Sequence, residues 1–179
     1  MRRAARVLLF LGGVALPGAA LTGQIGELHF GVVASYGTPR TFGPGAGLVA
    51  GIAPGRLVYV GARWSYQVGA TQAQVRTRVQ SYAVDLGVQF PAGPLEIVPS
   101  LSLGALRYAQ RSTGITRHSV EFLAAPGLAV EIPLAHVALI PEVQAYFSGK
   151  PDVPQPLTHR GLLTSLRLVV PIEVSRFRW

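Results

Sequence analysis

The feature that most constrains this chain is where its carboxylates stand. From Gly26 onward, apolar and polar residues alternate with a period of two, the spacing at which successive side chains of a β-strand point to opposite faces. One stretch sets Leu28, Phe30, Val32, Ala34 and Tyr36 against Glu27, His29, Gly31, Val33 and Ser35. Another sets Tyr82, Val84, Leu86, Val88 and Phe90 against Ser81, Asp85, Gly87 and Gln89. Of eight acidic residues, Asp152 alone lies outside a predicted strand; Glu27, Asp85, Glu96, Glu121, Glu131, Glu142 and Glu173 all fall on the polar phase. The apolar phase carries no carboxylate.

The alternation predicts strands at 26–36, 45–53, 57–69, 75–90, 95–109, 117–132, 136–147 and 160–178. "APGR" (53–56), "PAGP" (91–94) and "PLAH" (133–136) read as tight turns. The connections near 37–44, 70–74, 110–116 and 148–159 read as longer loops. Short turns at one end and longer loops at the other describe an up-and-down antiparallel barrel. No later segment has 18 consecutive apolar residues, so a helical membrane protein is excluded.

Alternation does not say which face is inside, since soluble barrels are apolar within and membrane barrels apolar without. The glycines decide. Gly31, Gly47, Gly51, Gly61, Gly87, Gly104 and Gly127 fall on the polar phase. Facing water they would only weaken the strands; inside a narrow barrel they make room for larger lumen side chains. A carboxylate-free apolar face is also what contact with lipid demands. Composition agrees: charged residues are 13% of the chain, and Lys150 is the only lysine. The fold expected is therefore all-β, an eight-stranded transmembrane barrel over 21–179. Pro99, Pro126, Pro141 and Pro171 resist it, because they fall inside four strands and proline belongs at edges and bulges.

The first residues, "MRRAARVLLFLGGVALPGAALTGQ", have the parts of a secretory signal. Arg2, Arg3 and Arg6 form a positive end, Val7 to Leu16 an apolar stretch too short to span a bilayer, and Pro17 to Ala20 a cleavage region. Residues 1–20 are expected to be removed, with the cut between 20 and 24. The net charge of +8 does not indicate nucleic acid: three basic residues belong to this leader, and the rest are scattered arginines and Lys150 without a basic run. Cysteine is absent, which excludes disulfides and thiol chemistry.

Leader, strands, alternating connections and the terminal "EVSRFRW" together resemble the small outer-membrane barrels of the OmpA/OmpX type. The resemblance is one of architecture, over the whole mature chain, and rests on no internal motif. It implies residence in a bacterial outer membrane and a monomer whose partners are membrane lipids, lipopolysaccharide and the barrel-assembly machinery. It makes Phe177 and Trp179 an assembly signal, although both are one residue out of step with the apolar phase, a mismatch that a bulge near Ser175 would restore. Tyr36, Trp64, Tyr66, Phe147, Phe90 and Trp179 fit aromatic girdles at the two membrane interfaces.

For chemistry, the lumen phase offers Arg63, Asp85, Glu121, Glu142 and Arg167, read as a structural ion-pair network because buried charges must be paired. Register counting puts Glu142 near Arg167 and leaves Arg63 and Asp85 more distant. The role expected is structural or surface-interacting, with a plugged polar lumen; the alternatives are a small pore or solute-binding barrel and, third, an enzyme acting on lipid A. Catalysis is not expected. His118 and Ser119 are neighbours on a strand and point to opposite faces, so they cannot act as base and nucleophile. His29, His136 and His159 show no metal-ligand spacing, and neither metal nor cofactor is expected. Arg76, Arg78 and Arg111 near the loops are candidate contacts for lipid phosphates.

Overall fold

A computed structural model describes residues 26–38, 41–54, 57–72, 74–112 and 114–174. The expected leader and the expected assembly signal at Phe177 and Trp179 lie outside them. Nine strand segments follow in chain order: β1 (Gly26–Gly37), β2 (Gly45–Pro54), β3 (Val58–Gln72), β4 (Val75–Val88), β5 (Phe90–Ala92), β6 (Leu95–Ser112), β7 (Ile115–Leu134), β8 (Val137–Ser148) and β9 (Arg160–Val174). All pair antiparallel with their neighbours, β1 with β9 and β4 with β6, so the sheet closes on itself. Segments β4 and β5 are one stave interrupted at Gln89, since both pair with β6 in the same register. The result is an eight-stranded barrel.

The faces sort as the alternation requires. Phe30, Val32, Leu48, Trp64, Tyr82, Val84, Phe122, Phe147, Leu168 and Val170 point outward and are exposed, while His29, Arg63, Asp85, Glu142, Gln144 and Arg167 are buried in the lumen. Two lumen glycines show what their missing side chains permit. A Cβ on Gly51 or Gly61 would collide with the Tyr59 ring, which lies across both.

The prolines are accommodated by local breaks in the ladders, without bulges or shifts of register. Between β7 and β8 the pairing stops after Ala124↔Phe147 and resumes at Gly127↔Gln144, the gap that contains Pro126; it stops again after Ala129↔Glu142 and resumes at Ile132↔Leu139, the gap that contains Pro141. Pro99 falls in the gap between Gly87↔Ser100 and Phe90↔Ile97 on the β6 side, while on the other side the Gln89 main-chain N–H still donates to the Leu57 carbonyl at 2.9 Å. Pro171 pairs with His29 on β1 and lies beyond the last β8–β9 pair, Ala138↔Val169. Each missing N–H thus falls where no partner strand waits for it.

Two of the four expected loops are corrected. Pairing continues to Gln72↔Val75 and to Ser112↔Ile115, leaving two-residue turns where 70–74 and 110–116 read as loops. Gln74 (φ 64°) and Gly114 (φ 87°) supply the left-handed backbone such turns need. The strands run on because only their outward phase changes, from apolar residues to Arg76, Arg78, Arg107 and Arg111, while Val75, Thr77 and Gln110 stay buried inside. Hydropathy contrast fades there, although strand pairing does not.

Candidate functional site

The lumen is filled in three layers. Toward the turn end lie Val33, Val49, Val98, Ala129, Ala138, Ile140 and Val169. Toward the loop end lie Phe42, Val79, Ala83, Leu106, Tyr108, Leu123, Ala125 and Tyr146. Between them sits a charged layer in which Arg63 and Arg167 face Asp85 and Glu142.

Arg63, on β3, is the hub. Its Nε donates to Asp85 Oδ2 at 2.8 Å and its Nη1 to Gln144 Oε1 at 3.2 Å. Its Nη2 crosses the lumen to Glu142 Oε2 on β8, at 2.8 Å. Arg167 reaches the other oxygen of Glu142 at 3.3 Å. Three serines finish the shell: Ser102 donates to Asp85 Oδ1 at 2.6 Å, and Ser100 and Ser165 donate to Glu142 at 2.9 and 3.1 Å. Gln144 ties the halves together by donating to Ser102 at 2.7 Å. Two cations and two anions leave the layer formally neutral, as a desolvated cluster must be.

Three points differ from the expectation. Arg63 and Asp85 stand a diagonal step apart in register, Gly61↔Asp85 and Arg63↔Ala83, yet the arginine's length closes the gap to a direct ion pair. The bridge from Arg63 to Glu142 joins strands that are not neighbours, and counting along adjacent strands could not reveal it. Glu121 stands apart: it accepts from Ser119 at 2.6 Å nearer the loop end.

The loop-end layer is the part that sequence reasoning missed. Phe42, in the connection between β1 and β2, turns inward and meets the Tyr146 ring edge-on at 4.6 Å. Val153 and Leu157, from the connection between β8 and β9, pack on the same cluster. That connection is tied down by Gln155, whose amide donates to Gln110 Oε1 at 2.9 Å, and by Asp152, whose amide donates to Ser119 Oγ at 3.1 Å. Voids of about 20 Å³ beside the charged layer on the loop side and about 10 Å³ on the turn side are left, each room for about one water.

His118 is exposed on the outer face and Ser119 is buried in the lumen, so they do not meet. His29 is buried beside Glu27, 3.3 Å away, and the Tyr59 ring. Among the described residues no three His, Asp or Glu are placed to hold a metal ion. Arg76, Arg78 and Arg111 lie together on the outer face of β4 and β6, with Arg76 directly opposite Arg111. Tyr36, Trp64 and Phe147 are exposed outward toward the loop end and Phe90 toward the turn end, where interface girdles belong.

No family model and no curated protein matches the chain. Solved structures do match in fold. Neisserial surface protein A (NspA) superposes with a TM-score of 0.64 at 11% identity, covering 83% of this chain and 97% of that one. The N-terminal barrel domain of Pseudomonas aeruginosa OprF gives 0.59 at 10% identity, covering 82% and 97%. A major outer membrane protein of Thermus thermophilus gives 0.56 at 11% identity, covering 83% and 99%. The chain has the fold of the small eight-stranded outer-membrane barrels, with its apolar face outward.

Proposed function

We propose that this protein is an integral outer-membrane barrel with a closed lumen, whose role is structural or surface-interacting rather than conductive or catalytic. One observation carries the reading: a neutral four-charge cluster, Asp85–Arg63–Glu142–Arg167, spans the lumen between two apolar layers. A conducting path would have to break ion pairs held on both sides by packed side chains. The solute-binding alternative needs a cavity, and the voids beside the cluster are each about the size of one water. The separation of His118 from Ser119 speaks against hydrolysis by that pair. NspA, which shares the fold, is by name a surface protein.

The test is planar-bilayer conductance of the purified protein. The expected result is no steady unitary current across a range of voltages. Well-resolved, long-lived channels would overturn the closed-lumen reading.

A further inference from the structure

The outer face of the β4–β6–β7 wall carries a cup built from cations. Pairing places Arg76 opposite Arg111, Arg78 opposite Ala109 and Gln80 opposite Arg107. On the next strand Ala109 pairs with His118. Ala109, the small residue, is the floor; Arg76, Arg78, Arg111 and His118 wall a depression of about 380 Å³. A second depression of about 190 Å³ shares Arg78, Ala109 and His118 and adds Arg107 and Tyr66. The four arginines are exposed. Like charges directly opposite on paired strands repel, and the neighbouring carboxylate, Glu121, is turned inward to Ser119. The arrangement is unfavourable alone and favourable around an anion.

A second, independent feature lies beside the cup. Across β1, β2, β3, β4 and β6, the outward row Phe30–Ala50–Ala62–Val84–Leu103 is held in register. Two adjacent alanines between bulky neighbours open an apolar groove of about 680 Å³, bordered by Leu48, Trp64 and Tyr82. Tyr82 links the two features, its hydroxyl donating to Gln80 Oε1 at 3.4 Å below the cup. Cationic cup, aromatic border and apolar groove follow one another toward the middle of the belt, the order of phosphate, interface and acyl chain in a lipid.

Resting on the membrane placement above, we infer that this wall is a binding site for a phosphorylated, multiply acylated lipid of the loop-side leaflet. The arginines take its phosphate in forked hydrogen bonds, and the alanine groove takes one acyl chain. The groove is what distinguishes a bound lipid from a free phosphate.

The test uses the full purified barrel in neutral detergent micelles, with diphosphoryl lipid A as probe and the co-purified lipid quantified. Each arginine at a membrane surface contributes roughly fivefold to anion attraction. Replacing Arg76, Arg78, Arg107 and Arg111 by Gln should therefore weaken binding by roughly six-hundredfold, the product of four such factors. Ala50→Phe with Ala62→Phe should weaken it while leaving the cup intact. Gel mobility confirms that each variant is folded; if the quadruple variant is not, Arg78→Gln and Arg111→Gln singly are each expected to cost roughly fivefold. Binding by the folded charge variants that stays within about twofold of wild type overturns the inference. So does full displacement by inorganic pyrophosphate together with indifference to the groove variants, which would make the cup a free-phosphate site. Equal retention of phosphatidylglycerol would reduce the cup to a diffuse charge effect and overturn it too. Bilayer conductance of the same variants reports the closed-lumen reading separately, since none of these residues faces the lumen.

Discussion

Truncating Arg63 is the sharpest probe of the lumen. In Arg63→Met, Asp85 loses the cation it pairs with and keeps the Ser102 hydroxyl at 2.6 Å, in a site where it is 2% exposed. Glu142 fares better, keeping Arg167 at 3.3 Å, Ser100 at 2.9 Å and Ser165 at 3.1 Å. The loss therefore concentrates on Asp85, and leaving a buried charge unpaired costs about 3–5 kcal/mol. Arg167→Met should cost less, about 1.5–3 kcal/mol, because Glu142 retains Arg63 and both serines and loses only its longer, 3.3 Å ion pair. Combining Arg63→Met with Asp85→Asn removes one charge of each sign and leaves Glu142 with Arg167. A buried pair replaced as a unit is close to neutral, so the double variant should return to within about 2 kcal/mol of wild type. The assay is urea unfolding in phospholipid vesicles, followed by tryptophan fluorescence and by the gel mobility of the folded barrel. An unchanged midpoint for Arg63→Met would refute the reasoning, as would a double variant no more stable than Arg63→Met alone.

Two further outcomes are expected from the same titration. Phe42→Ala should lower stability by about 3 kcal/mol, the low end for a buried aromatic because a loop can partly collapse into the space; no change would mean that Phe42 does not seal the loop end. Gly61→Ala should destabilise by about 1–3 kcal/mol through its collision with the Tyr59 ring, and the penalty should largely vanish in a Tyr59→Ala background; an equal penalty in both backgrounds would assign Gly61 some other role.

The barrel was legible in the sequence because lipid and lumen impose opposite demands on alternate residues, and every strand obeys them. Legibility stopped where that contrast stops. Beyond the belt, the outward positions of β4 and β6 become arginines while the inward ones continue unchanged, and pairing outlasts hydropathy by several residues. The proline problem dissolved once each ladder was followed separately: Pro126 pairs with Leu101 on one side and falls in a gap on the other, which a single strand's pattern cannot express. The Arg63–Glu142 bridge was hidden for a related reason. It depends on closure of the cylinder and the reach of one guanidinium, and neither is a property of neighbouring strands. Phe42 gave no signal at all, since an aromatic in a loop reads the same whether it faces water or turns inward.

Desolvation explains where the remaining lumen carboxylates went. Glu142 and Asp85 lie between the apolar layers and are fully partnered. Glu27 and Glu173 stand opposite each other, as do Glu96 and Glu131, all toward the turn end. Like charges paired across strands are unfavourable, and buried they would be prohibitive. Here the Glu27 side chain is 44% exposed and Glu173 is exposed, so water screens the repulsion. Among the described residues, carboxylates thus gather at the exposed turn end, the neutral cluster fills the middle, and Phe42, Val153 and Leu157 pack at the loop end. A cation drawn into the turn-end mouth would next meet the packed valines and alanines beneath the cluster, then Arg167 and Arg63. On the proposed closed-lumen reading, that sequence of environments attracts at the entrance and excludes one layer further in, so carboxylates at the turn end and a sealed middle are compatible in one molecule.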